Sequence, residues 1–232
     1  MARWISFRFD DGFIDGARKA ADILHPHAAT FFIITGLVTG AVQLDHLDHF
    51  ADADFGTVES WKALAARGQD IQSHGVDHAS FATLEHDQAL DQIRASLDTV
   101  REINPGPHVF CFPYNAVPDL DLAGSGLSAA GFATVDSQQD VLSNRLAGLD
   151  PLRLRSWAVR ERHLDFVVQQ LADAPDDTWT ILAFHSLDGQ GHEPWTSEGF
   201  ADLVTAVLRA GYQVTTLGDM VTRLEAAQDA VD

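Results

Sequence analysis

The fold is decided by the stretch Trp4-Ile5-Ser6-Phe7-Arg8-Phe9-Asp10-Asp11-Gly12, close to the amino terminus. Its apolar residues alternate, with Ile5, Phe7 and Phe9 on one face, and this alternation predicts a β-strand. Two carboxylates and a glycine follow the last apolar residue directly, and a helical pattern begins at Phe13. A strand, a polar loop and a helix in this order predict the first unit of a parallel sheet.

The same order of strand, loop and helix recurs along the chain. Short apolar runs predict further strands at residues 29–34, 70–72, 109–112, 132–135, 152–157, 179–184 and 212–217. Helical spacing predicts helices between several of these strands, one capped by Thr57 and one by Thr83. Parallel strands joined by right-handed crossovers predict an α/β fold, and seven or eight such units in a chain of this size predict a compact barrel, closed or incomplete. We expect a single domain over residues 1–232, with its core at about 4–224; an open doubly wound sheet is the alternative.

Length, charge and cysteine usage narrow the class of protein. The 232 residues suit one domain, and 46% hydrophobic residues suffice for a sizeable core. The net charge of −19 argues against nucleic acid as a partner, because that partner requires a basic surface. Cys111 is the only cysteine, which excludes an intrachain disulfide. No apolar run has the length of a signal peptide or a transmembrane segment, so we expect a cytoplasmic protein; the oligomeric state is not predicted.

Polar residues follow four of the predicted strands, at the end where a parallel barrel carries its active site. The first strand is followed by two carboxylates, and the strand at residues 70–72 by two histidines. The strands at 109–112 and 179–184 are followed by a Pro-Tyr pair and a histidine. These residues are Asp10, Asp11, His74, His78, Pro113, Tyr114 and His185. His25 and His27 precede a strand and are expected on the opposite rim.

Two histidines and one carboxylate are a typical catalytic zinc site, because three protein ligands leave a coordination position open. A bound ion polarises a carbonyl group and lowers the pKa of water. A second carboxylate can then accept the proton of that water. Asp10 and Asp11 provide this pair if the chain turns sharply after the strand, which Gly12 permits. We expect one divalent ion, Zn²⁺ first, although Co²⁺, Ni²⁺ or Fe²⁺ would accept the same ligands.

Each of these features also has a purely structural explanation. An Asp-Asp-Gly run is commonly a turn, and Phe-Pro-Tyr commonly ends a strand. Cys111 lies in an apolar strand and is expected to be an inert buried thiol. The loop at residues 45–49, with Asp45, His46, Asp48 and His49, could contact a substrate or form a second metal site, but a polar solvated loop is the favoured explanation. Four such features on one predicted rim favour a functional site.

Four ordered motifs resemble those of the polysaccharide deacetylases, the NodB homology group also called carbohydrate esterase family 4. The motifs are Phe9-Asp10-Asp11-Gly12, Ser73-His74-Gly75-Val76-Asp77-His78, Phe112-Pro113-Tyr114 and Leu182-Ala183-Phe184-His185. The resemblance implies a distorted (β/α) barrel of seven or eight strands. It also implies a metal-dependent hydrolase that removes acetyl groups, N-acetyl before O-acetyl, from an amino sugar, an oligosaccharide or a glycan. Two alternatives stay open: hydrolysis of another small amide, such as a formyl group or ureide, and a catalytically silent glycan-binding module.

The resemblance also implies a role for each motif residue. Asp10 would be the catalytic base and His185 the general acid. The backbone N–H of Tyr114 would stabilise the oxyanion. The implied metal ligands are Asp11, His74 and His78.

This chain departs from the family pattern at two positions. The arginine that usually opens the third motif and braces the catalytic aspartate is replaced by Cys111. We expect Arg155, in the stretch Asp150-Pro151-Leu152-Arg153-Leu154-Arg155, to brace Asp10 instead. Gly75 replaces the usual hydroxyl residue between the two histidines, which removes a hydrogen bond around the metal. The expected substrate contacts are Pro113, Asp136, Trp157 and Trp195.

Overall fold

A computed structural model describes residues 2–44, 50–116, 122, 125–136, 143–189 and 191–229, apart from the side chains of residues 131–136, 228 and 229. These residues contain a mixed sheet around which the helices are arranged. Its strands are Trp4–Phe9 (β1), Thr30–Ile33 (β2), Asp70–Ser73 (β3), Val109–Cys111 (β4), Ala129–Asp136 (β5), Ser143–Arg145 (β6), Leu154–Ala158 (β7), Thr178–Phe184 (β8) and Gln213–Val214 (β9).

Seven parallel strands close into a barrel. The pairs run β1–β2–β3–β4–β5–β7–β8 and return from β8 to β1. The closing pair is regular over six residues, from Trp4 opposite Trp179 to Phe9 opposite Phe184. The short β6 is antiparallel to β8, and β9 extends β1 at its amino end. The prediction of a distorted barrel of seven or eight strands in one domain is therefore confirmed.

The helices cover the outside of the barrel and close one end of it. They are Ile14–Leu24 (α1), Thr35–Val38 (α2), Val58–Ala65 (α3), His86–Ile103 (α4), Leu164–Asp173 (α5), Ser197–Arg209 (α6) and Leu217–Asp229 (α7). Thr57 caps α3 as predicted, since its side chain accepts a hydrogen bond from the Ser60 amide. Thr83 does not cap α4, because it lies in a short 3₁₀ turn and the capping box is formed two residues later by Glu85 and Gln88.

The alternation in β1 separates two cores. Ile5, Phe7 and Phe9 face the helical layer, where the ring of Phe200 on α6 lies 5.3–5.6 Å from those of Phe7, Phe9 and Phe184. The other face of the barrel strands forms a second apolar cluster, to which residues of α7 also belong. This inner cluster contains Phe32, Val109, Cys111, Leu154, Trp179 and Ile181. Period-two alternation thus decides which side chains reach the barrel interior.

None of the helices in the described ranges is long and apolar enough to cross a lipid bilayer. The cytoplasmic location stays a prediction.

We predict that Phe200→Ala lowers the free energy of unfolding by about 3–5 kcal/mol, because it removes the ring that joins the carboxyl ends of β1 and β8 to α6. Urea unfolding followed by circular dichroism would measure this loss. Phe166→Ala is the control, because Phe166 is 36% exposed and should cost far less. Equal losses in the two variants would contradict the proposed importance of this aromatic cluster.

Candidate active site

The four predicted motifs meet at the carboxyl ends of the parallel strands. The Asp10 amide donates a hydrogen bond of 2.9 Å to the Phe184 carbonyl at the end of β8, and the His74 amide donates one of 2.9 Å to the Ile33 carbonyl at the end of β2. Between these ends lies a cavity of about 410 Å³. Its lining includes Asp10, Asp11, His74, His78, Phe112, Tyr114, Asn115, Val159, Arg160, His185, His192 and Glu193.

Asp11 and two imidazoles form a buried cluster with the donor set of a divalent cation. Asp11 Oδ1 lies 3.4 Å from His74 Nε2 and 3.3 Å from His78 Nε2. The other ring nitrogens have hydrogen-bond partners: His74 Nδ1 lies 2.8 Å from the Cys111 carbonyl and His78 Nδ1 lies 3.1 Å from the Tyr114 hydroxyl. The Cys111 carbonyl can only accept, so it holds a proton on His74 Nδ1, and the Tyr114 hydroxyl can accept one from His78 Nδ1. With the proton on Nδ1, Nε2 of each ring can bind a metal. The three residues therefore fit a catalytic divalent-metal site.

The charge balance of this cluster also favours a cation. Burial by itself would raise the pKa of Asp11, but hydrogen bonds from His74 and His78 hold it well below its usual value. Burial by itself would lower the pKa of His74, yet the neighbouring acidic groups, first Cys111 and then Asp11 and Asp10, hold that pKa well above its usual value. A buried carboxylate that needs positive charge beside it is a site that a divalent cation can neutralise.

Asp10, His74 and Cys111 form a second set of potential ligand atoms, but it fits a metal less well. His74 Nδ1 already contacts the Cys111 carbonyl, and Asp10 Oδ2 pairs with an arginine. Burial also raises the pKa of the Cys111 thiol, and a neutral thiol is a poor ligand. The set around Asp11 is therefore the better candidate.

The site is built on strained backbone. Among the described residues, eight other than glycine have positive φ, and five of these eight line this cavity. Asp11 has φ 73°, which turns its side chain away from the direction of Asp10, and Gly12 continues the turn at φ 86°. A Cβ on Gly12 would approach Ile33 Cα to 3.2 Å. Left-handed backbone at non-glycine residues is costly and persists where the surrounding structure enforces it, often at functional sites.

His185 follows β8 and lines the same cavity, beside a loop that returns to the site. Burial lowers the pKa of His185, although Asp11 and Asp10 partly oppose this shift. The His185 ring lies 5.4 Å from that of His192. Leu187 and Trp195 hold the base of the loop together as a parallel bridge. The predicted acid is therefore on the same rim as the predicted base and metal ligands.

Arg8, and not Arg155, contacts the predicted base. Arg8 Nη2 lies 2.9 Å from Asp10 Oδ2, and both side chains are buried. Arg8 Nη1 lies 3.2 Å from Cys111 Sγ, so the small thiol makes room for the guanidinium group. Arg155 is exposed, lies near the amino end of β7 and lines a separate cavity with Thr178. The prediction for Arg155 is wrong because that end of β7 belongs to the opposite rim.

Both tryptophans expected to bind substrate are buried in the core. Trp157 is fully buried, with its ring 6.4 Å from that of Phe166. Trp195 is 2% exposed and donates a hydrogen bond of 3.1 Å to the Val159 carbonyl, so it supports the cavity wall from behind. Pro113 is also buried and begins the turn that presents Tyr114. Neither tryptophan can stack on a sugar ring in this arrangement, so these two predictions are corrected.

Two other predictions lie outside what the structure describes. Asp136 is the last residue of β5, opposite Ala158, but its side chain is outside the described residues, as is the whole loop 45–49. The contact predicted for Asp136 stays a prediction.

Several residues in or beside the cavity were not predicted from the sequence. Arg160 and Glu193 form an ion pair of 2.8 Å at the mouth, and Asn115 Oδ1 accepts a hydrogen bond of 3.4 Å from Arg8. The contact between Arg8 and Asp10 could have been predicted. Arg8 is a charged residue within an apolar strand, and residues two positions apart in a strand lie on the same face. No sequence signal pairs Arg160 with Glu193, because they lie on separate loops.

The profile of the polysaccharide deacetylase family matches residues 2–132, more than half of the chain. This chain belongs to the polysaccharide deacetylase family. The match covers the first three motifs, and the structure brings the fourth, at His185, to the same cavity. A search of curated protein sequences gave no significant match.

Solved structures of related deacetylases share this fold at low sequence identity. The peptidoglycan deacetylase PdaC from Bacillus subtilis is 17% identical, with a TM-score of 0.59 over 99% of this chain and 94% of that chain. The Bc1960 peptidoglycan N-acetylglucosamine deacetylase is 18% identical, with a TM-score of 0.63 over 94% of this chain and 87% of that chain. A CE4 family pseudoenzyme from Bacillus anthracis is 14% identical, with a TM-score of 0.60 over 95% of this chain and 66% of that chain. The fold therefore does not decide whether a chain is active.

The geometry predicts about one divalent ion per chain, bound at Asp11, His74 and His78. Adding Zn²⁺ to metal-free protein should raise the melting temperature, because an ion that binds only the folded state stabilises it. His74→Ala should abolish this rise. His25→Ala is the control, because His25 lies at the carboxyl end of α1 on the opposite rim. An equal rise in wild type and His74→Ala would contradict the assignment.

Proposed function

We propose that this protein is a metal-dependent hydrolase that removes acetyl groups, N-acetyl in preference to O-acetyl, from an amino sugar, an oligosaccharide or a glycan. The observation that carries the proposal is the meeting, in one cavity, of the Asp11–His74–His78 cluster with a second carboxylate, Asp10, and a further imidazole, His185. A binding site for a neutral glycan requires neither a base nor an acid beside a metal site.

Asp11, His74 and His78 would hold the divalent ion, with Zn²⁺ the first expectation from two imidazoles and one carboxylate. When bound, the ion supplies Lewis acidity, which polarises the acetyl carbonyl and acidifies water. All three ligands are buried, and their ligand atoms lie within 4.8 Å of one another.

Asp10 would accept a proton from water as the water oxygen attacks the carbonyl carbon. Its ion pair with Arg8 supports this role, because the bond to Oδ2 fixes the orientation of the carboxylate. The Tyr114 amide is the proposed donor to the oxyanion. The two amides that follow it donate instead within the turn, Asn115 N to the Phe112 carbonyl at 3.2 Å and Ala116 N to the Pro113 carbonyl at 3.1 Å.

His185 would donate a proton to the departing nitrogen as the carbon–nitrogen bond breaks, which yields acetate and a free amine. An amine is a poor leaving group unless it is protonated, so a proton donor on this rim suits amide hydrolysis. Because burial lowers the pKa of His185, the protonated imidazole would transfer its proton readily. The relation to a peptidoglycan N-acetylglucosamine deacetylase supports an N-acetyl substrate.

A catalytically silent module is the second candidate. It is favoured by the similarity to a CE4 family pseudoenzyme and by the loss of the third-motif arginine at Cys111. Assays of acetylated, formylated and ureido substrates separate it from the amide hydrolases. Acetate released from N-acetylated chitooligosaccharides would support the deacetylase, and no product from any substrate despite a bound metal would support the silent module.

We predict that Asp10→Asn retains the metal and lowers kcat/KM by about 100-fold or more, because the amide cannot accept the proton. Acetate release would measure turnover, and elemental analysis would measure metal content. Asp15→Asn, an exposed carboxylate on α1, is the control and should leave both unchanged. A fully active Asp10→Asn variant would refute the role of Asp10 as base.

We also predict that Arg8 is needed to orient Asp10 and that its charge can be supplied from position 111. Arg8→Thr should lower kcat/KM and stability, because removing one partner of a buried ion pair costs about 3–5 kcal/mol. Arg8→Thr combined with Cys111→Arg should recover part of both, since Cys111 Sγ lies within 3.8 Å of Asp10 Oδ1.

Arg155→Ala is the control for this pair of variants and should behave like wild type in activity and unfolding. Activity lost in Arg155→Ala but kept in Arg8→Thr would restore the original assignment. Circular dichroism would show whether each variant is folded before its activity is compared.

A further inference from the structure

His78 is the candidate ligand whose orientation depends most on neighbouring side chains. Its backbone is left-handed, with φ 57°, at the end of the loop after β3. Its ring lies between aromatic neighbours, 4.6 Å from the Tyr114 ring and 5.3 Å from the Phe50 ring. His74, by contrast, directly follows β3, and its Nδ1 meets a backbone carbonyl, that of Cys111.

The loop between the two histidines provides no side chain for His78 Nδ1. Gly75 has φ 83°, a conformation that strains any residue with a side chain. Val76 is apolar. The Asp77 carboxylate accepts hydrogen bonds from the Ala79 amide at 3.1 Å and from Gln92 Nε2 at 3.0 Å. A polar partner for His78 must therefore come from another part of the barrel rim.

Tyr114 is that partner. Its hydroxyl lies 3.1 Å from His78 Nδ1, while His78 Nε2 faces Asp11 Oδ1 at 3.3 Å. A phenolic oxygen can accept the Nδ1 proton, which leaves the Nε2 lone pair directed at the metal position. The left-handed backbone of Tyr114, with φ 60° and ψ 15°, turns the ring over His78 although the residue as a whole is 59% exposed.

We propose that the Tyr114 hydroxyl is a positioning group that fixes the tautomer and orientation of His78 and so sets the affinity for the divalent ion. The proposal rests on the metal site described under the proposed function. It gives Tyr114 two separable roles: its amide serves the reacting carbonyl, and its hydroxyl serves a metal ligand. Removing the hydroxyl should therefore weaken metal binding while the amide stays in place.

The test is Zn²⁺ binding to metal-free wild type and Tyr114→Phe, measured by competition with a chromophoric chelator. We expect affinity to fall by about 10–100-fold in the variant, the range found when outer hydrogen-bond partners of metal ligands are removed. Co²⁺ absorption spectra provide a second readout, and the visible bands should change in Tyr114→Phe.

Tyr212→Phe is the matched control, because Tyr114 and Tyr212 are the only tyrosines in the chain. The Tyr212 hydroxyl donates to the Leu171 carbonyl at 2.9 Å and is not part of the cavity lining, so its loss should leave Zn²⁺ affinity unchanged. Equal affinity in wild type and Tyr114→Phe would overturn the inference while leaving the proposed function intact. A wild-type chain that binds no divalent ion would overturn both.

Discussion

The parallel pairing of β1 with β8 is the constraint on which the site depends. It joins residues more than 170 positions apart in the chain and closes the barrel. The closure brings Asp10, Asp11 and His185 to one mouth, and the hydrogen bond from the Asp10 amide to the Phe184 carbonyl continues the strand register into the site. The side chains that follow parallel strands share one rim of the barrel. Pairing β1 with β8 therefore closes the barrel and also brings the proposed catalytic groups together.

The loops above this rim hold conformations that the strands do not require. Asp11, His78 and Tyr114 all have left-handed backbone, which costs free energy at residues with a side chain. In each case the turn redirects a polar group into the cavity: a carboxylate, an imidazole or a phenol ring. The closed barrel and the aromatic cluster around Phe200 contribute free energy of folding that offsets the cost of these turns.

The charged interior of the barrel explains how the chain departs from its family without losing the proposed chemistry. A guanidinium group beside Asp10 can come from β4 or from β1, because both strands present that face to the same interior volume. Here Arg8 provides it, and the small Cys111 thiol occupies the position that the resemblance gives to arginine. The Tyr114 hydroxyl similarly supplies a polar partner where Gly75 has no side chain. The proposed reaction would therefore constrain where the guanidinium and hydroxyl groups lie in space, and not which position in the sequence provides them.

The sequence alone predicted the parallel barrel strands, several of the helices between them and the polar residues that follow four of these strands, but it did not predict the antiparallel β6. Local periodicity, a property of neighbouring residues, identifies each strand, and the rule that the carboxyl ends of parallel strands share one rim then groups the residues that follow them. The tertiary structure decided which arginine contacts Asp10 and that Trp157 and Trp195 face the core. It also decided that Tyr114 reaches His78 and that Arg160 meets Glu193. These outcomes depend on contacts between residues on different strands and loops of the barrel. Side-chain volume and backbone turns decide which of several possible partners makes each contact, and the sequence pattern does not distinguish those partners.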